Sequence, residues 1–149
     1  MKKFKNLLTV VMVVVASLFT QSSMASDTII SKQQLPQKAL SFITNYFKGK
    51  EISYVKQDKE LFSTSYEVQF VDRMKVEFDG KGEWEEVDGR KMAIPTGFIN
   101  TNIVNYVKKN FAGVDITKVE KGFRKIEVKL SNGLELEFTK EGKFSRIDD

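Results

Sequence analysis

Two stretches of the chain carry one pattern, and a pattern written twice leaves few architectures open. Tyr46-Phe47-Lys48-Gly49-Lys50-Glu51-Ile52, leading to Val55, is echoed 64 residues later by Asn110-Phe111-Ala112-Gly113-Val114-Asp115-Ile116, leading to Val119. Farther along the offset is 60: Tyr66 to Phe70 matches Ile126 to Leu130, Met74 to Phe78 matches Leu134 to Phe138, and Gly82-Glu83-Trp84 matches Gly142-Lys143-Phe144. The first copy therefore holds four extra residues, in the connection around Lys59 to Thr64.

Each copy opens with a helical period. Pro36, Ala39, Ile43, Tyr46 and Phe47 share a face ahead of Gly49, and Ile99, Ile103, Tyr106, Val107 and Phe111 do the same ahead of Gly113. After each helix the period drops to two, with Tyr66, Val68, Phe70 and Met74, Val76, Phe78 alternating with polar residues, then Ile126, Val128, Leu130 and Leu134, Leu136, Phe138. Asn132-Gly133 marks a tight turn, since both residues tolerate positive φ. The pattern predicts an α+β fold in which a helix and four antiparallel strands occur twice, giving an eight-stranded sheet with both helices on one face. The opposite face, carrying Glu67, Gln69, Lys75, Glu77, Glu127, Lys129, Glu135 and Glu137, is left to water or a partner.

The boundaries follow: residues 35–88 for the first unit, 89–98 for a connector marked by Pro95 and Gly97, and 99–149 for the second. Residues 1–25 read as a secretory signal, with lysines at 2, 3 and 5, an apolar run from Leu7 to Phe19, and small residues at Ser23 and Ala25 before the expected cut. Thirteen apolar residues are too few for a comfortable membrane span, which needs about 20. Residues 26–34, polar apart from Ile29 and Ile30, read as a loosely held leader.

Removing the signal takes three of the 24 basic residues and none of the 20 acidic ones, so the remaining 124 residues carry a net charge near +1. That balance gives no broad positive field for nucleic acid or an anionic membrane. The chain has no Cys and no His. Thiol nucleophiles, thiolate metal sites and the usual neutral-pH general base are thereby excluded. An exported, monomeric protein without a cofactor is expected, secreted or held in the envelope.

The run Phe78-Asp79-Gly80-Lys81-Gly82-Glu83-Trp84-Glu85-Glu86-Val87-Asp88, with Leu35-Pro36, Phe47-Lys48-Gly49 and Ser131-Asn132-Gly133-Leu134-Glu135-Leu136-Glu137-Phe138, resembles the secreted PepSY-like, β-lactamase-inhibitor-like proteins of Gram-negative bacteria. The resemblance spans Leu35 to Asp149 and implies a helix-plus-four-strand unit in two copies, a periplasmic location, and binding or inhibition of other proteins. Asn100 departs from the pattern where the second copy would echo Pro36, and Ala112 stands where the family suggests Pro. The family offers no catalytic residue to transfer.

Asp79 to Glu83 has the oxygen density of a calcium loop, but Lys81 occupies a would-be ligand position, so a hairpin turn is expected. Glu77, Glu135 and Glu137 alternate with lysines as ordinary cross-strand charge matching, in preference to a catalytic acid and base. Trp84, matched by Phe144, is expected to fill core. Asp27-Thr28-Ile29 matches a short O-glycosylation sequon. The partner-binding candidates lie where the copies differ: Leu61 and Phe62 in the insertion, and Tyr54 where the other copy has Lys118. They favour a protein partner, such as an envelope peptidase; a small ligand or glycan on the polar sheet face is the alternative.

Overall fold

The computed structural model describes residues 26–148. The expected signal sequence lies outside them. One nine-stranded antiparallel sheet runs in strict chain order: β1 (Ser26–Ile30), β2 (Ile52–Lys59), β3 (Thr64–Phe70), β4 (Lys75–Asp79), β5 (Trp84–Asp88), β6 (Ile116–Lys121), β7 (Lys125–Leu130), β8 (Glu135–Thr139) and β9 (Phe144–Asp148). Helix α1 (Gln37–Tyr46) precedes β2 and helix α2 (Thr101–Asn110) precedes β6. Each helix is thus followed by a four-strand meander.

The register explains where the core sits. Ile30, Val55, Val68, Val76, Val87, Val119, Val128, Leu136 and Ile147 are successive cross-strand partners, one from each strand. Because side chains alternate along a strand, this row faces one side of the sheet. The seven central members, Val55 to Leu136, are buried together with Ala39 and Ile43 of α1 and Ile103 and Val107 of α2. Phe42 meets Phe78 at 5.6 Å between ring centroids and Tyr106 meets Phe138 at 5.5 Å, so both helices lie against that same face.

The sheet has nine strands where eight were expected. The additional one, β1, comes from the segment read as a leader. It pairs residue for residue with β2, from Ser26↔Lys59 to Ile30↔Val55. The physical reason is the edge of β2: β6 is covered on its outer side by β5, whereas β2 has no earlier meander strand beside it, and β1 covers the edge left bare.

The helix starts rest on glycines. A Cβ on Gly82, which has φ of 82°, would lie 2.8 Å from Pro36 Cβ and 2.9 Å from the Ala39 nitrogen, and one on Gly142 would meet the Asn100 side chain at 2.8 Å. Asn100, the departure from the proline pattern, caps α2: its Oδ1 accepts from the Asn102 backbone N–H at 2.9 Å.

Candidate functional site

Two surfaces carry the candidate residues. The first is the sheet end formed by the β2–β3, β4–β5, β6–β7 and β8–β9 turns. Leu61 and Phe62 sit at the tip of the β2–β3 hairpin, 68% and 94% exposed. A Glu60 N–H to Ser63 carbonyl bond closes that turn at 2.9 Å and leaves both side chains in solvent. The insertion carries this hairpin about 7 Å farther out than its counterpart, two residues at ~3.4 Å each.

Tyr54 does not join them. It lies on β2 at the opposite end, roughly 20 Å away by strand rise, 37% exposed, with its hydroxyl donating to Glu67 Oε1 at 2.7 Å. A residue missed in the sequence does share the hairpin end: Phe123, in the β6–β7 turn, is 88% exposed with the Arg124 guanidinium 5.6 Å from its ring centroid. Four strand spacings separate the two hairpins, about 19 Å. The legible signal was an apolar residue outside the strand alternation, between Gly122 and Arg124.

The second surface is the open face of the sheet. Glu67, Glu77, Glu86, Glu120, Glu127 and Glu137 are successive cross-strand partners on six adjacent strands, flanked by Lys56 and Arg146. Like charges directly opposite one another repel, and cations from neighbouring positions offset this. The Lys75 ammonium lies 2.5 Å from Glu77, 3.3 Å from Glu86 and 4.0 Å from Glu67. Lys118 bridges Glu86 at 2.9 Å and Glu120 at 3.1 Å. Burial opposes the charge on Lys75, Lys118 and Glu86, yet these contacts win: both lysines are held above their ordinary pKa and Glu86 below its own.

Glu137, 8% exposed, takes two hydrogen bonds of 2.9 Å from the Arg146 guanidinium and one of 2.5 Å from Lys125. These bonds pull its pKa down to about 2. Glu135 is likewise lowered, by Lys129. A general acid needs the opposite shift, a proton retained near neutrality. Glu127, Glu137 and Asp148 bring carboxylate oxygens within 4.8 Å of one another, so three donors for a cation are gathered there, with Lys125 and Arg146 now supplying the positive charge.

The remaining candidates resolve locally. Asp79 Oδ1 accepts from the backbone N–H groups of Lys81 at 2.8 Å and Glu83 at 2.9 Å, which makes the acidic loop a side-chain-capped turn. Trp84 is half-buried against Phe98 at 5.1 Å and Phe42 at 6.5 Å, with the Lys121 ammonium 4.0 Å over its ring. Asp27, Thr28 and Ile29 lie within β1.

Residues 64–146, from β3 into β9, match the model of the β-lactamase-inhibitor-like, PepSY-like family. The chain belongs to that family. A solved structure from Bacteroides thetaiotaomicron, described as a calcium-regulated periplasmic protein, is 37% identical with a TM-score of 0.79, covering 83% of this chain and 97% of that one. Two periplasmic proteins from Bacteroides vulgatus are each 35% identical, with TM-scores of 0.79 and 0.77; each alignment covers 83% of this chain, and 98% and 100% of theirs. A comparison with curated proteins finds no match. Among the described residues, no helix of this PepSY-like protein is long and apolar enough to cross a membrane.

Proposed function

We propose that this PepSY-like protein is a non-enzymatic protein-binding or inhibitory module of the periplasm, acting as a monomer on an envelope protein such as a peptidase. The observation that carries the reading is the projecting β2–β3 hairpin, which holds Leu61 and Phe62 in solvent at 68% and 94% exposure. Large apolar side chains presented on a protruding turn are suited to filling a groove on a partner. The missing Cys and His, and carboxylates held ionised by lysine and arginine, support a binding role over turnover. We also read residues 1–25 as a cleaved export signal and the two helix-plus-four-strand halves as tandem copies.

Affinity capture from envelope extract with residues 26–149 tests the reading. One protein held by the parent, released by Leu61→Ala/Phe62→Ala and retained by Tyr54→Ala is the expected result. Equal capture by the hairpin variant would overturn it.

A second reading, a small ligand on the polar sheet face, is favoured by the Glu127, Glu137 and Asp148 group and by the calcium-regulated description of the Bacteroides thetaiotaomicron relative. Oxygen donors so gathered suit Ca²⁺, which would have to displace Lys125 and Arg146. Millimolar CaCl₂ would then raise the melting temperature of the parent and leave Glu137→Gln unchanged.

A further inference from the structure

Among the described residues, two besides glycine hold positive φ: Arg73 at 73° and Arg90 at 61°. Both line one concavity of about 790 Å³, between the β3–β4 turn and the segment after β5, with Val71, Lys91 and Met92. Left-handed backbone strains an ordinary side chain, because its Cβ crowds the following carbonyl oxygen. Such strain persists where the surrounding structure holds it, and it concentrates at ligand sites.

The turn itself does not require Arg73. In the β3–β4 turn the Arg73 N–H donates to the Phe70 carbonyl at 3.0 Å, and the Met74 N–H donates to Asp72 Oδ1 at 3.0 Å. The β7–β8 turn repeats this: the Gly133 N–H donates to the Leu130 carbonyl at 2.9 Å, and the Leu134 N–H to Asn132 Oδ1 at 3.1 Å. Gly133, with φ of 91°, stands where Arg73 stands. Glycine serves that turn without strain, so the arginine adds a guanidinium at a conformational cost.

The one acid of the lining is already engaged: Asp72 is held by Lys50, which lowers its pKa. Asp88, just outside the lining, is taken by Arg90 at 3.1 Å. Beside these cations, Val71 and Met92 are 58% and 40% exposed. We propose that this cleft binds a carboxylate joined to an apolar group, the guanidinium of Arg73 taking the carboxylate with Arg90 and Lys91 beside it, and Val71 and Met92 covering the apolar part. A peptide C-terminus ending in an apolar residue and a fatty acid share this chemistry.

Titration calorimetry of residues 26–149 with acetyl-Ala-Ala-Leu, its C-terminal amide and decanoate tests the site. At least one of the two carboxylates binds, the amide binds at least tenfold more weakly than the acid peptide if the peptide is the ligand, and Arg73→Gly weakens the bound carboxylate at least tenfold. Arg73→Gly removes strain, so its urea midpoint stays level or rises and a loss of binding is not a loss of fold. Binding of the peptide alone assigns a chain terminus, and of decanoate alone a fatty acid; both assign the shared carboxylate chemistry. No binding of either carboxylate up to millimolar concentration, equal binding of peptide acid and amide, or unchanged binding by Arg73→Gly would overturn the proposal. The hairpin variant Leu61→Ala/Phe62→Ala retains this binding, which separates the cleft from the hairpin surface.

Discussion

Gly82 and Gly142 are positions where a missing side chain sets how a helix meets the sheet. Both hold positive φ, but a Cβ on Gly82 would press on the backbone nitrogen of Ala39, whereas one on Gly142 would press on the Asn100 side chain. A side chain can move aside more cheaply than a helix. Gly82→Ala should therefore cost about 2–3 kcal/mol, combining left-handed strain of ~1–2 kcal/mol with a displaced α1. Gly142→Ala should cost less, and Gly49→Ala, with nothing within 4 Å of the added atom, about 1 kcal/mol. Urea denaturation of the three variants checks the order, and equal losses would show that the contacts are irrelevant. The glycines themselves were legible as a repeated position. Their contacts with the helix starts were not, because nothing local in the sequence says what rests on a turn. Asp72-Arg73 escaped notice for a related reason: arginine is not a turn residue, and only the backbone reveals it in glycine's place.

At the scale of elements, the glutamate ladder makes the open face depend on its lysines. Lys75 touches three of the six carboxylates, and its side chain is only 16% exposed. Lys75→Met should destabilise the protein by about 1–3 kcal/mol at pH 7, between the worth of an exposed pair and the cost of breaking a buried one. Because Lys75 is held above its ordinary pKa, the loss is full at neutral pH and shrinks only as pH rises through that raised value. For Glu137 the direction follows from its lowered pKa: the stabilisation is complete above the ordinary carboxylate range near 4.5 and is lost as pH falls through about 2. The stability gap between the parent and Glu137→Gln should accordingly be open at pH 7 and close between pH 4.5 and 2, followed by denaturant midpoints across that range. A gap independent of pH would mean that Glu137 acts through packing. Alternation put Glu67, Glu77, Glu127 and Glu137 on one face from the sequence alone. That they form an unbroken row through Glu86 and Glu120 depends on the β5–β6 pairing, which joins segments separated by α2 and carries no local signal.

The whole molecule turns on that same junction. β5 and β6 meet through three registered pairs, Glu86↔Glu120, Val87↔Val119 and Asp88↔Lys118, whereas β2 and β3 share seven. The connector reinforces the joint: Ile94 is buried, and Phe98 packs on Phe42 at 4.9 Å, Tyr46 at 5.3 Å and Trp84 at 5.1 Å. Pro95 and Gly97 announced a turn there, but neither announced that the turn carries core residues. Phe98 therefore ties the segment entering α2 to the helix and sheet of the first half. Phe98→Ala should cost about 2–3 kcal/mol, somewhat below a fully buried phenylalanine, and the loss should fall unevenly. Amides of α1 and β2 to β5 should lose hydrogen-exchange protection before those of β6 to β9, because the second half keeps its own aromatic cluster of Tyr106, Phe138 and Phe144. In the parent, the continuous core should keep the two halves exchanging together. Uniform loss of protection in Phe98→Ala would instead show that the three strand pairs alone suffice to couple the halves.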